Sequence, residues 1–145
     1  KITGKALIAA QAELAVAKSA ALATKAVDIG SFQLLVERLD GVDGTGLQGA
    51  AQSLAAQLGD SAAVVLGGLP DPSDQGKVIL VAAFGKDVIA AKQQAGKFIG
   101  TIAKLCGGGG GGRPNLAQAG GRDGAALAGA LETAREELRY KLGES

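Results

Sequence analysis

Positions 107 to 112 are six consecutive glycines, and no other stretch limits the folding of the chain as much. A glycine run has no side chain to anchor in a core, and ordering it costs more backbone entropy than ordering any other segment of its length. It therefore becomes a flexible tether between folded parts, or a main-chain surface fixed by its neighbours. Two features favour the second outcome. The run lies between two well-patterned helical stretches instead of at a shift in composition, and its exit, Asn115-Leu116-Ala117-Gln118-Ala119-Gly120-Gly121, is not low-complexity. As a loop, Gly107, Gly108, Gly109, Gly110, Gly111 and Gly112 can adopt positive φ and turn successive N–H groups toward one oxyanion. A phosphate, ribose or base can then come against the peptide planes. Arg113 adds a planar guanidinium for a phosphate or for stacking on a base, and Pro114 stiffens the exit. A phosphate loop of nucleotide triphosphatases needs Lys and Ser or Thr after the last glycine. Here Arg-Pro follows Gly112, so that chemistry is excluded.

The rest of the chain is lean as well. Of 145 residues 24 are Gly and 29 Ala, which leaves 38 large apolar side chains, enough for one compact core. From Thr3 to Thr24, Leu7, Leu14 and Ala21 recur at seven residues with Ile8, Ala15 and Leu22 one step behind. That narrow seam predicts a helix packed closely on another helix, from upstream or from a second subunit. Phe32–Leu39 predicts a strand. Leu47, Ala50, Ala51, Leu54 and Leu58 form one helical stripe, started by Asp43 or Thr45 and stopped by Gly59. Ala62–Leu66 and Lys77–Phe84 read as short apolar strands, and the helix-free connection Gly67–Gly76 makes them antiparallel neighbours. A helix is expected from Ala91 to Leu105, buried through Ala95, Phe98, Ile99 and Ile102. Gly96 and Gly100 weaken it: a helix keeps such residues where another backbone approaches closely, but a lax, marginal helix is the plainer explanation. Asn115–Arg122 reads as loop, and a last helix begins at Asp123 as N-cap. The expected class is α+β: a helical arm over residues 1–26, then a globular domain over 27–145. In that domain a short-stranded mixed sheet carries helices packed on one side.

Charge is uneven. Residues 77–122 hold Lys77, Lys86, Lys92, Lys97, Lys104, Arg113 and Arg122 against Asp87 alone, in a chain of net charge +1. Such a local excess points to a polyanionic partner or to a solvated face balanced by acidic segments folded beside it. With no His, Ser-His and Cys-His nucleophilic chemistry is excluded; with one Cys, so are an intrachain disulfide and a CxxC zinc site. Cys106 at a helix C-terminus is in the wrong field for a thiolate. No general acid–base pair, metal-ligand set or membrane-spanning run stands out, and a reducing compartment fits. Beginning at Lys1 without an initiator methionine or signal peptide, the chain reads as a piece of something longer.

Gly107–Gly112, Arg113, Pro114 and then Ala117-Gln118-Ala119-Gly120-Gly121 resemble the signature closing the C-terminal domain of alanyl-tRNA synthetases. The order of helical arm, strand-helix-strand unit, Lys-bearing helix, loop and final helix is similar too, over essentially the whole chain. The globular part also resembles the accessory domain of DHH-type phosphoesterases, although no His follows the glycines here. The resemblance implies a non-catalytic module that grips the outer corner, or elbow, of tRNA, alanine-specific in its parent, to support aminoacylation and editing. Gly107–Gly112, Arg113, Pro114, Gln118, Lys92, Lys97, Lys104 and Arg122 would line that contact. It implies no cofactor and no metal in this fragment, ATP and zinc belonging to absent parts of the parent, and a cytoplasmic (or organellar) location. Self-association through residues 3–24 and DNA binding stand as alternatives.

Overall fold

The computed structural model describes residues 26–143 other than 30, 31, 72, 75 and 92; the expected helical arm before residue 26 lies outside them. Along the chain come β1 (Val27–Ile29), β2 (Phe32–Arg38), α1 (Gly44–Leu58), β3 (Ala62–Gly68) and β4 (Val78–Phe84). They are followed by α2 (Lys86–Ala90), α3 (Ala95–Leu105), β5 (Gly109–Gly112), β6 (Leu116–Gly121), a 3-10 turn (Gly124–Ala126) and α4 (Leu127–Gly143). The strands form one mixed sheet in the order β1-β2-β3-β4-β6-β5. Among the described strands only β2 and β3 run parallel, joined by α1; β3 and β4 are antiparallel, as their short connection requires.

Layering follows from the strands themselves. Phe32, Leu34, Val36, Ala63, Val65, Leu80, Ala82 and Phe84 point to one face, where α3 and α4 cover them with Phe98, Ile99, Ile102, Leu127 and Leu138. Leu35, Val64, Leu66, Val81 and Ala83 point to the other, under Leu47, Ala50, Ala51 and Leu54 of α1. Helices thus lie on both faces, which corrects the expectation of one. Val-Val-Leu in β3 and Val-Ile-Leu-Val in β4 lack a polar alternation, and a strand apolar at every step needs a cover on each side.

Helix α1 starts where its cap allows: Asp43 accepts a hydrogen bond from Gly46 N at 2.8 Å. Helix α3 starts four residues later than its periodicity suggests. Residues 86–90 form the unforeseen short helix α2, and the first N–H of α3, that of Ala95, donates to Pro114 O at 2.8 Å. A carbonyl from a distant turn satisfies the orphan donor that a side-chain cap would otherwise take. At the other end of α3, Cys106 O accepts from Arg122 N at 2.8 Å and Asp123 N at 3.0 Å. Asp123 in turn accepts from Ala125 N, so it does open the last helical segment, through a 3-10 turn.

The glycines inside α3 have the role that close approach requires. A Cβ on Gly96 would lie 2.6 Å from Gly112 O, and one on Gly100 would lie 3.0 Å from Gly110 O. Gly49 in α1 has nothing within 4 Å of such an atom. Gly49→Ala should therefore raise stability by about 0.5–1 kcal/mol through helix propensity. Gly96→Ala should lower it by about 1–2 kcal/mol despite the same propensity gain, because backbone must shift; thermal denaturation of both variants checks the opposite signs. Cys106 is buried, and desolvation, with a smaller contribution from the Asp123 charge, raises its thiol pKa. A thiol kept neutral by folding stabilises the fold below the unfolded thiol's pKa of about 8.5, and that contribution is lost as pH rises toward the folded value. We expect no reaction with a disulfide reagent in the native protein at neutral pH, and a fall in melting temperature above pH about 8.5 that Cys106→Ala flattens.

Candidate nucleic-acid interface

The glycine run is not a loop. Gly109–Gly112 is the edge strand β5, turned by Arg113–Asn115 into β6, and the stretch expected as loop after Asn115 is itself a strand. Among the described residues only Gly107 of the run has positive φ, at 73°. The run therefore does not form the cradle of left-handed glycines that its sequence permits. Its order comes from main-chain pairing, Gly109 opposite Gly120, Gly110 opposite Ala119, Gly111 opposite Gln118 and Gly112 opposite Ala117. At the turn, Arg113 N donates to Leu116 O at 3.0 Å, and Asn115 O accepts from Phe84 N at 2.9 Å. Antiparallel pairs alternate between those that exchange both ladder bonds and those that do not. Counting back by two from Arg113 and Leu116 places Gly111–Gln118 and Gly109–Gly120 in the bonded class. The main-chain groups of Gly110 and Gly112 turn to the free edge, toward Gly100 and Gly96 of α3.

Two grooves flank this ribbon. One, of about 450 Å³, runs between β5 and the outer side of α3, where Lys97, Thr101 and Lys104 face Gly109, Gly110 and Gly112. The other, of about 600 Å³, lies on the hairpin with Gly108, Gly109, Gln118 and Gly120 in its floor and Lys77 and Arg122 beside them. Among the described residues neither groove has a carboxylate in its lining. Gly109 belongs to both. The positive excess of residues 77–122 is thus distributed along the two sides of a peptide ribbon, where its field acts on one ligand.

Of the expected residues, Lys97 and Lys104 are brought to one groove and Arg122 and Gln118 to the other. Gly107 is exposed and Gly108 half-buried. Arg113 and Pro114 are exposed at the hairpin turn and line neither groove. The Gln118 side chain is half-buried and accepts a hydrogen bond from Gln48 Nε2 of α1, which holds its amide in place. Lys92 lies outside the described residues. Sequence reasoning did not single out Lys77 or Thr101. Thr101 was legible, since it follows Lys97 by four positions and precedes Lys104 by three on one helical face. Lys77 was not, because only the pairing of β4 with β6 brings it beside Arg122. Among the described residues no three His, Cys, Asp or Glu side chains are grouped to hold a metal ion, and no helix is long and apolar enough to cross a membrane.

Comparison with known proteins places this geometry in a family. The chain is 97% identical over 142 residues to an alanine–tRNA ligase of Synechococcus sp. (strain CC9902), covering 98% of this chain and 16% of that one. It is 78% identical over 143 residues to an alanine–tRNA ligase of Prochlorococcus marinus (strain MIT 9303), again spanning 16% of the relative's length. Among solved structures, the C-Ala domain from Aquifex aeolicus alanyl-tRNA synthetase superposes with a TM-score of 0.65 at 25% identity, covering 81% of this chain and 97% of that one. The DHH domain of a protein from a ribosomal-protein family shares the fold at a TM-score of 0.58 and 15% identity, over 88% of this chain and 31% of that one. The family model for the DHHA1 domain matches residues 31–140, and the chain belongs to that family.

Proposed function

We propose that the chain is a non-catalytic tRNA-binding module of an alanine–tRNA ligase, which holds the outer corner of tRNA so that the parent's aminoacylation and editing centres can act on it. The observation that carries the reading is the exposed glycine edge strand between two cationic grooves in which, among the described residues, no carboxylate lies. A folded RNA presents phosphates, ribose hydroxyls and stacked bases over a broad convex surface, and its recognition depends on shape more than on a deep pocket. Main chain without side chains admits close approach of that surface, while Lys97, Lys104, Lys77 and Arg122 neutralise phosphates and supply affinity without sequence information. Arg113 and Pro114 extend the contact at the turn. The alanine–tRNA ligase relatives and the C-Ala domain support the choice of tRNA over DNA.

The test is a titration of tRNA against this chain over a range of salt. With about four phosphates engaged, the log–log slope of affinity on salt should be roughly −3 to −4. Lys97→Glu with Lys104→Glu should weaken binding by at least about tenfold and bring the slope roughly two closer to zero. Unchanged affinity and slope in that variant, or an equal preference for duplex DNA, would remove the tRNA reading.

A further inference from the structure

Helices α3 and α4 leave a recessed pocket of about 220 Å³ between them. Gln93, Gln94, Lys97, Phe98 and Thr101 line it from the α3 side and Glu137 from the α4 side. Phe98 is a buried ring held by a tilted contact with Phe84, their centroids 5.8 Å apart, and it gives the pocket a rigid apolar wall. The charged groups are opposed, an ammonium on one helix and a carboxylate on the other. They would pair if they met, yet the ion pairs among the described residues are Arg38–Asp40 and Arg135–Glu132. The half-buried Glu137 carboxylate has no hydrogen-bond donor among the described residues either. A carboxylate so placed loses part of its hydration and gains no partner in return. A third group seated between Glu137 and Lys97 would satisfy both.

The chemistry of that group follows from its neighbours. It must donate toward Glu137, accept from Lys97 and present a flat, weakly polar side to Phe98. It must also reach the pocket from the outer side of α3, because Gln94, Lys97 and Thr101 line both this pocket and the cationic groove. We infer that the pocket between α3 and α4 seats one unpaired guanine of the bound RNA, and that Glu137 is the residue that selects it. Guanine carries N1–H and the N2 amino group side by side, two donors for the two oxygens of one carboxylate, and its O6 and N7 accept from a lysine. Adenine and cytosine set a ring acceptor beside their amino group, and uracil flanks its single N–H with two carbonyls, so each would turn a lone pair toward Glu137. The base must be unpaired, since the edge used is the one that pairing occupies. The inference rests on the reading of the chain as a tRNA-binding module and adds a base-specific contact outside the glycine hairpin. Such a seat sets the register of a strand on α3; it does not by itself tell one folded RNA from another that places a guanine at the same point.

The experiment titrates the intact chain with uridine heptaribonucleotides that carry guanosine, inosine or adenosine at the centre, with a tRNA transcript as reference. The guanosine heptamer should bind at least about tenfold more tightly than the adenosine one, and inosine, which lacks the 2-amino group, should fall between them. Glu137→Gln should keep the wild-type melting temperature and bind the three heptamers alike to within about twofold. It should lose no affinity for the adenosine heptamer, because removing a negative charge cannot weaken attraction to phosphates. Equal binding of the three heptamers by the wild type refutes the pocket, and so does a guanosine preference that survives both Glu137→Gln and Glu137→Ala. In either case the tRNA reading stands on its own salt titration. A guanosine heptamer that does not bind where the transcript does is equally fatal to the pocket. A Glu137→Gln chain that melts lower and binds every heptamer more weakly by the same factor assigns the carboxylate to the fold and overturns its selecting role. A wild-type chain that binds neither transcript nor heptamers removes the reading and the pocket together.

Discussion

The close contact between helix α3 and the glycine hairpin is the constraint on which the rest of this architecture depends. Two helical glycines meet two strand carbonyls, Gly96 with Gly112 and Gly100 with Gly110, at separations that leave no room for a methyl group. Helix and strand each give up intrinsic stability to make that contact, and tertiary bonds at both ends of α3 secure it. The N–H of Ala95 is taken by Pro114 in the hairpin turn, and the carbonyl of Cys106 by Arg122 and Asp123 beyond β6. A strand with no side chains is therefore held straight by a helix on one face, a ladder along one edge and a clasp at each end. The arrangement also protects the edge. An open strand is a template for unwanted pairing, but here a helix bearing Lys97 and Lys104 runs alongside it.

Chain topology turns a charge asymmetry in the sequence into a charged site. Lys77 enters β4 and Arg122 leaves β6; the antiparallel register that pairs Val78 with Gly121 sets these cations beside each other. The lysines of α3 lie on the other side of the β5 ribbon because Phe98, Ile99 and Ile102 fix which way the helix faces. Several carboxylates of the domain have partners of their own. Asp87 accepts from Ser61, Asp123 caps the 3-10 turn, and Glu132 pairs with Arg135 on α4. Glu137 lines an adjoining pocket with Lys97 and Lys141, while the two glycine-lined grooves themselves present the positive surface that attracts a polyanion.

Much of this was legible in the sequence, and what was not has identifiable causes. The stripe of Leu47, Ala50, Ala51 and Leu54, the Asp43 cap, the antiparallel β3–β4 pair and the buried side of α3 were legible because each is a local pattern of side chains. The cost of Gly96 and Gly100 inside a helix was legible, but the sequence made a lax helix the plainer explanation, and only the strand lying against them shows that close approach is the reason. Elements ordered by main chain alone were not legible. A strand of glycine and alanine carries almost no alternation, so β5 and β6 read as loop although their pairing is continuous. The second layer was missed although the unbroken apolar runs of β3 and β4 implied it. The start of α3 shifted because its first donor is satisfied from residue 114, a partner that no local pattern reveals.

A platform of peptide planes also limits what kind of recognition is chemically available. In the Gly109–Gly120 pair the N–H and C=O groups are exchanged across the ladder, so they do not remain to read base edges. The surface offers flat, satisfied amide planes for contact and cations at its border, a combination that senses the shape and charge of a folded polynucleotide and little of its sequence. Side chains on those strands would supply donors and acceptors, but they would also hold the ligand further away from the planes. On the proposed tRNA-binding reading, discrimination among tRNAs falls to other parts of the parent protein, and this module contributes grip.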